Sequence, residues 1–205
     1  MRSGIAYNHG LHQNPFFAQI INSICLTLAL INQSMAHILE TERLRLREFT
    51  LEDAPFIIEL LNSPGWLEFI GDRNVRTLEQ ARDYLENGPI KSYRVNGYGL
   101  SMVERKEDGA PIGMCGMLNR DVLECPDIGF AFLPAHHLRG YALEIAKAVM
   151  DHAKDVLKLP RVAAITVPGN SRSISLLEKL ELRYIKSFSF PGSAELLSLF
   201  GNWRR

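Results

Sequence analysis

Apolar positions along the chain switch between a period of two and a period near 3.6. Leu44 and Leu46, followed by Phe49, alternate with Arg43, Arg45 and Arg47. That alternation predicts a half-buried first strand whose outer face carries the arginines. Thr50-Leu51-Glu52-Asp53 then reads as a capping box, with Pro55 in the first turn of a helix that runs to about residue 61. Asn62-Ser63-Pro64-Gly65 stops it, and Trp66, Phe69 and Ile70 fall in the loop that follows, where they line an acceptor pocket or pack on the sheet. A second capping box, Thr77-Leu78-Glu79-Gln80, opens a helix to about residue 86, ended by Asn87-Gly88-Pro89.

Two strands follow, at 98–105 and 111–118, joined as a hairpin by Lys106-Glu107-Asp108-Gly109. A run at 127–133 is stopped by Pro134. Residues 138–157 form a long amphipathic helix: Ala142, Ile145, Ala146, Val149, Ala153, Val156 and Leu157 recur at i, i+3, i+4, i+7. The unbroken apolar run at 161–167 suits a buried central strand. A short helix at 171–179 follows Pro168-Gly169-Asn170, and final strands at 184–190 and 194–200 are separated by Pro191-Gly192. The order is βαα-βββ-α-β-α-ββ with no internal repeat, one α/β domain on a mixed sheet.

Composition adds exclusions. With 205 residues, 46% hydrophobic and 22% charged, the chain is no disordered tail, collagen or coiled-coil rod. Lys plus Arg and Asp plus Glu are 23 each, so there is no global basic field and no nucleic-acid partner is expected. Cys25, Cys115 and Cys125 form no CxxC pair and no zinc-ligand spacing, which suits a reducing cytoplasm. The charge is uneven: residues 1–34 carry one charged side chain, Arg2, and no acid. The apolar stretch at 16–31 is broken by Gln19, Asn22 and Ser23, too short for a membrane span and without the flanks of a secretion signal. Residues 1–34 read as an extension or a loosely packed extra helix ahead of a domain at 35–205, with Met35 as the natural start.

The chemistry concentrates in His136-His137-Leu138-Arg139-Gly140-Tyr141-Ala142-Leu143-Glu144, between a strand and the long helix. A helix N-terminus presents unpaired N–H groups and partial positive charge, and Gly140 and Ala142 leave room for an anion to approach them. The string is neither the dinucleotide fingerprint nor the phosphate loop of nucleotide hydrolases. About thirty residues on, Asn170 and Ser173 stand where a strand ends and a helix starts, placed to cap that helix or to bind a ligand crossing the sheet. Adjacent His136 and His137 do not face one ligand, and no metal is expected. Cys115 reads as a small core residue.

Together these stretches resemble the GNAT N-acetyltransferase superfamily, which holds the pyrophosphate of acetyl-coenzyme A with (Gln/Arg)-x-x-Gly-x-(Gly/Ala). Here HLRGYA puts His137 where Gln or Arg is usual. The pattern NxxSxxLLEKLG is matched by Asn170, Ser173, Leu176, Leu177, Glu178, Lys179 and Leu180, with Glu181 replacing Gly. LETERLRLREFTLEDA, PIGMCGMLNRD and DIGFAFLP look like the branch of the ribosomal-protein (RimJ/RimL-type) acetyltransferases. The resemblance runs from about residue 38 to 200.

It implies a mixed, mostly antiparallel sheet splayed between its fourth and fifth strands, with helices on both faces. Acetyl-CoA, the co-substrate, would lie in the gap, its pantetheine paired with the backbone of Phe130, Ala131, Phe132 and Leu133. The amides of Leu138, Arg139, Gly140, Tyr141 and Ala142 would cradle the pyrophosphate, beside His137, Asn170 and Ser173. The acceptor would be a primary amine, of a small molecule or a protein N-terminus. Homodimers through the terminal strands are frequent in this fold class. A departure from catalysis, a CoA-binding sensor or partner module, is the alternative fed by His137, Leu177 and Glu181.

Direct attack on the thioester needs a neutral amine. A lysine-like amine near pKa 10.4 costs roughly 4.6 kcal/mol to neutralise at pH 7, an α-amine only about 1–1.4 kcal/mol. A carboxylate base acting through water is the usual device. Asp127 opens the relevant strand and is the first candidate, with Glu104 and Glu124 as others. A tyrosine acid that family members place on the helix after the Asn is Leu177 here, and Ser173 supplies a hydrogen bond at most.

Overall fold

The computed structural model describes residues 37–203. The stretch at 16–31 and Met35 lie outside the described residues. In chain order the elements are β1 (His37–Glu40), β2 (Leu44–Arg47), α1 (Ala54–Leu61), α2 (Pro64–Phe69), α3 (Leu78–Leu85), a wide π-type turn (Glu86–Ile90), α4 (Lys91–Asn96), β3 (Leu100–Arg105), β4 (Pro111–Leu118), β5 (Asp127–Phe132), α5 (Tyr141–Asp155), β6 (Ala163–Thr166), α6 (Ser171–Lys179), β7 (Arg183–Phe188) and β8 (Leu197–Gly201). The strands form one sheet in the order β1-β2-β3-β4-β5-β6-β8-β7. Every neighbouring pair is antiparallel except β5 and β6.

The helices divide between the two faces. On one, Leu44, Leu46, Val103, Cys115, Met117 and Ile128 meet Ile145, Ala146 and Val149 of α5 and Leu177 of α6. On the other, Met102 and Met114 meet Phe56, Ile57 and Leu60 of α1, Trp66 of α2, and Ala81 and Leu85 of α3. Each fully buried Leu or Ile here contributes about 1.5–3 kcal/mol.

Several local expectations are corrected. Ser63-Pro64-Gly65 does not lead into a loop. Pro64 takes the first position of α2, where its missing N–H costs nothing. Trp66 is therefore a core residue, 6% exposed, while Phe69 is half-buried and Ile70 exposed. Asn87-Gly88-Pro89 does not end the helical run either. The backbone widens by a residue around Pro89 and continues as α4 until Gly97, at φ +75°, ends it. The Tyr93 hydroxyl on α4 then accepts the Phe49 amide at 3.0 Å and donates to the Leu100 carbonyl, tying α4 to the sheet.

The expected first strand is preceded by another, β1, so the predicted seven strands are eight. Nor is the arginine face uniformly outward. Arg47 is 6% exposed, with Nε 2.7 Å from Glu104 and both terminal nitrogens 2.8 Å from the Asp53 carboxylate. Burial would weaken its charge, but the two carboxylates hold its pKa above the ordinary arginine value. Asp53 also accepts from the Thr50 amide at 2.8 Å, so the expected capping box is part of this buried network. The second box forms as expected: Thr77 Oγ1 accepts the Gln80 amide at 3.2 Å and Gln80 Oε1 accepts the Thr77 amide at 3.1 Å.

Candidate functional site

The one parallel junction in the sheet sets the site. β5 and β6 share a single register pair, Asp127↔Ala163, where the Ala163 amide donates to the Pro126 carbonyl at 2.9 Å. Beyond it, toward the carboxyl ends of the two strands, no further pair joins them. The gap predicted between the fourth and fifth strands lies here, renumbered by the extra β1. Strand polarity then shows which groups border it. The Leu133 amide donates to the Ile112 carbonyl at 3.0 Å, toward β4. With a period of two, Gly129 and Ala131 also turn their amides and carbonyls to β4, whereas Phe130 and Phe132 turn theirs into the gap. One of those four groups is occupied: the Phe132 carbonyl lies 2.9 Å from His137 Nε2.

Because β5 and β6 are parallel, the helices that follow them start at the same edge of the sheet. α5 begins at Tyr141, three residues later than the sequence suggests, because Leu138 and Gly140 adopt left-handed backbone at φ +60° and +80°. The turn leaves the first amides of α5 without intrahelical partners at the mouth of the gap. Leu138 is 93% exposed and Arg139 is exposed, while Tyr141 is buried and Ala142 half-buried. At α6 the Asn170 side chain accepts the Ser173 amide at 3.0 Å, so its oxygen acts as the helix cap. Leu177 points into the core. Glu181, in place of the family's glycine, sits at φ +62°, which explains why glycine suits that position.

Asp127 stands at the closed end of the gap with 1% exposure. The Arg120 Nε lies 3.0 and 3.1 Å from its two oxygens. Burial pushes the Asp127 carboxyl above the ordinary aspartate range, and the Arg120 charge offsets only part of that. Two phenols are near enough to feel the same charges. Tyr84 on α3 is raised by burial, against the opposing pull of Arg73 and Arg120; Tyr98 is raised by burial and by Asp127. Of the other candidate carboxylates, Glu104 is committed to Arg47 and Glu124 is exposed between β4 and β5. Cys115 is fully buried and its thiol is pushed up to about 12 by burial, as befits a core residue. Among the described residues, no cluster of His, Cys, Asp and Glu could hold a metal ion, and no helix is long and apolar enough to cross a membrane.

Sequence reasoning missed two partners. Arg120 lies in the segment between β4 and β5, where no periodic pattern marks it as the partner of Asp127. Arg43 was placed on an outer strand face, yet it reaches the mouth of the gap. Its Nε and Nη2 lie 2.7 and 2.6 Å from Glu144 Oε2, and its Nη1 donates to the Arg139 carbonyl at 3.0 Å. Both pairings join residues about a hundred positions apart or across a loop, beyond the reach of local periodicity.

A sheet parted at one parallel junction, with a helix N-terminus at the mouth, is the arrangement that the GNAT resemblance implied. Residues 43–183 match the family described as the Acetyltransferase (GNAT) domain, and the chain belongs to that family. It is similar to the Bacillus subtilis (strain 168) protein named "Uncharacterized protein YkkB", at 31% identity over 157 residues, 73% of this chain and 87% of that one. The "Uncharacterized N-acetyltransferase YoaA" of the same organism is 28% identical over 148 residues, 71% and 82% of the two chains. Among solved structures, the ribosomal-protein-S5-alanine acetyltransferase of Vibrio fischeri shares the fold with a TM-score of 0.67 at 17% identity, covering 80% of this chain and 94% of that one.

Proposed function

We propose that the protein transfers the acetyl group of acetyl-CoA to a primary amine, a peptide N-terminus or a small molecule, by direct attack on the thioester. The observation that carries this reading is the Asp127↔Ala163 junction, beyond which the Phe130 and Phe132 amides and the Phe130 carbonyl are turned toward an unpaired gap. An extended pantetheine arm offers alternating amide donors and acceptors that match such an edge. The pyrophosphate would then meet the amides of residues 138–142, with the α5 dipole behind them. A backbone N–H of β5 would receive the developing oxyanion.

Asp127 serves as general base. It lies three residues from Phe130, about 10 Å along an extended strand, so a proton leaving an amine beside Phe130 would reach it through a chain of waters. An α-amine demands least of such a base, since neutralising it at pH 7 costs only about 1–1.4 kcal/mol. Relatives bearing the name N-acetyltransferase and the shared fold of a ribosomal-protein acetyltransferase support the same acceptor class.

The test is thiol release from acetyl-CoA against a panel of free amino acids, short peptides with free N-termini, polyamines and amino sugars. Turnover on α-amines above lysine-like amines is expected. Tight acetyl-CoA binding with no turnover on any amine would instead identify a non-catalytic CoA-binding protein.

A further inference from the structure

Arg43 belongs to the turn between β1 and β2, yet five of its contacts converge on the residues that open α5. Its backbone amide donates to Glu144 Oε1 at 2.9 Å. Its side chain grips Glu144 Oε2 through Nε and Nη2 at 2.7 and 2.6 Å. Nη1 donates to the Arg139 carbonyl at 3.0 Å, and the guanidinium lies 4.6 Å over the Tyr141 ring. Thr41 of the same turn completes the grip, its hydroxyl 2.6 Å from Glu144 Oε1.

Two consequences follow for the loop. In a planar trans peptide the C=O and N–H point in opposite directions. With the Arg139 carbonyl fixed on Arg43, the Gly140 N–H is directed away from Arg43, beside the free Tyr141 and Ala142 amides. A peptide flip, to which a glycine at φ +80° is prone, would break that bond. A Cβ at Gly140 would also touch Arg43 Nη2 at 3.4 Å, so the guanidinium packs directly against this turn. The second consequence concerns charge. Glu144 lies in the first turn of α5, where a carboxylate suits the helix dipole but would repel a phosphate at the same end. Arg43 neutralises it from the side.

We infer that Arg43 is a positioning residue for phosphate recognition: it sets the Arg139–Gly140 peptide and screens Glu144 so that the head of α5 accepts the pyrophosphate. This rests on the acetyl-CoA reading given above and goes beyond it in assigning the β1–β2 turn to the co-substrate site. It predicts an effect confined to ligands that carry the diphosphate.

The experiment compares Kd by calorimetry for acetyl-CoA and for S-acetylpantetheine, which lacks the pyrophosphate, in the full chain. Arg43→Ala should weaken acetyl-CoA by at least about tenfold, as expected for losing charge-assisted hydrogen bonds, and leave S-acetylpantetheine within about twofold. Arg43→Lys keeps a charge but not the fork, and should show the same selectivity at smaller size, about threefold. Glu144→Gln should bind acetyl-CoA at least as well as the parent. Equal losses for both ligands, or no loss for either, would overturn the assignment. Failure of the parent protein to bind acetyl-CoA at all is a separate outcome that removes the functional reading beneath it.

Discussion

Arg120 meets Asp127 through its Nε, 3.0 and 3.1 Å from the two carboxylate oxygens, with the carboxylate side chain 2% exposed and the arginine 37%. The acid is sunk in the sheet and its partner stands at the surface. Burial wins, so the carboxyl is held above the ordinary aspartate range. A carboxyl raised in this way holds a proton more readily than an ordinary aspartate, which suits a general base.

Asp127→Asn should lower kcat by about a hundredfold or more, the scale of a lost general base, and remove the acidic limb of the kcat/KM profile. Stability should move the other way. A carboxyl whose folded pKa is raised contributes stability below its unfolded pKa and loses it as pH rises through the folded value. Above that folded value the ionised Asp127 is a cost, so there the asparagine variant should melt at the same temperature or higher. A variant with the parent's pH profile would exclude Asp127 as the base.

Arg120→Ala should raise the Asp127 carboxyl further, because burial then acts unopposed. The acidic limb of kcat/KM should shift to higher pH while the limb itself persists. Profiles of parent and variant recorded in the same buffers decide this.

Gly140→Ala places a side chain at φ +80°, against Arg43 Nη2. The left-handed conformation costs a non-glycine residue about 1–2 kcal/mol. Thermal unfolding should register that loss, and acetyl-CoA affinity should fall with it as the first amides of α5 shift.

Arg47→Ala leaves the largely buried Asp53 and Glu104 carboxylates without the cation they share. Removing one member of a buried ionic network costs about 3–5 kcal/mol. Urea unfolding at pH 7 should show a lower midpoint.

Much of this was legible in the chain. The helix at 171–179 begins and ends where its cap and apolar spacing place it, and both capping boxes form. The parted sheet was implied by the resemblance to the GNAT family, not by periodicity or spacing. What escaped depends on context. Pro64 reads as a stop after Asn62-Ser63 and as a start before Trp66, and only packing against the sheet selects the second. Pro89 is tolerated because one turn can widen around it. Arg43, Arg45 and Arg47 are alike as a pattern, yet Arg47 ends in a buried network, Arg43 at the head of α5, and Arg45 beside Glu40. Such fates are set by residues far along the chain, Glu104 and Glu144 among them, and periodicity cannot see them.

The break between β5 and β6 gives this sheet two inner rims besides its outer ones. Amide exchange should therefore run backward from the usual order, with Phe130 and Phe132 near the centre trading protons faster than their neighbours Gly129 and Ala131, which are locked to β4. An extended ligand laid along the rim would slow those two selectively. Under the acetyl-CoA reading these two amides would gauge loading of the rim, one at a time and without any measurement of turnover.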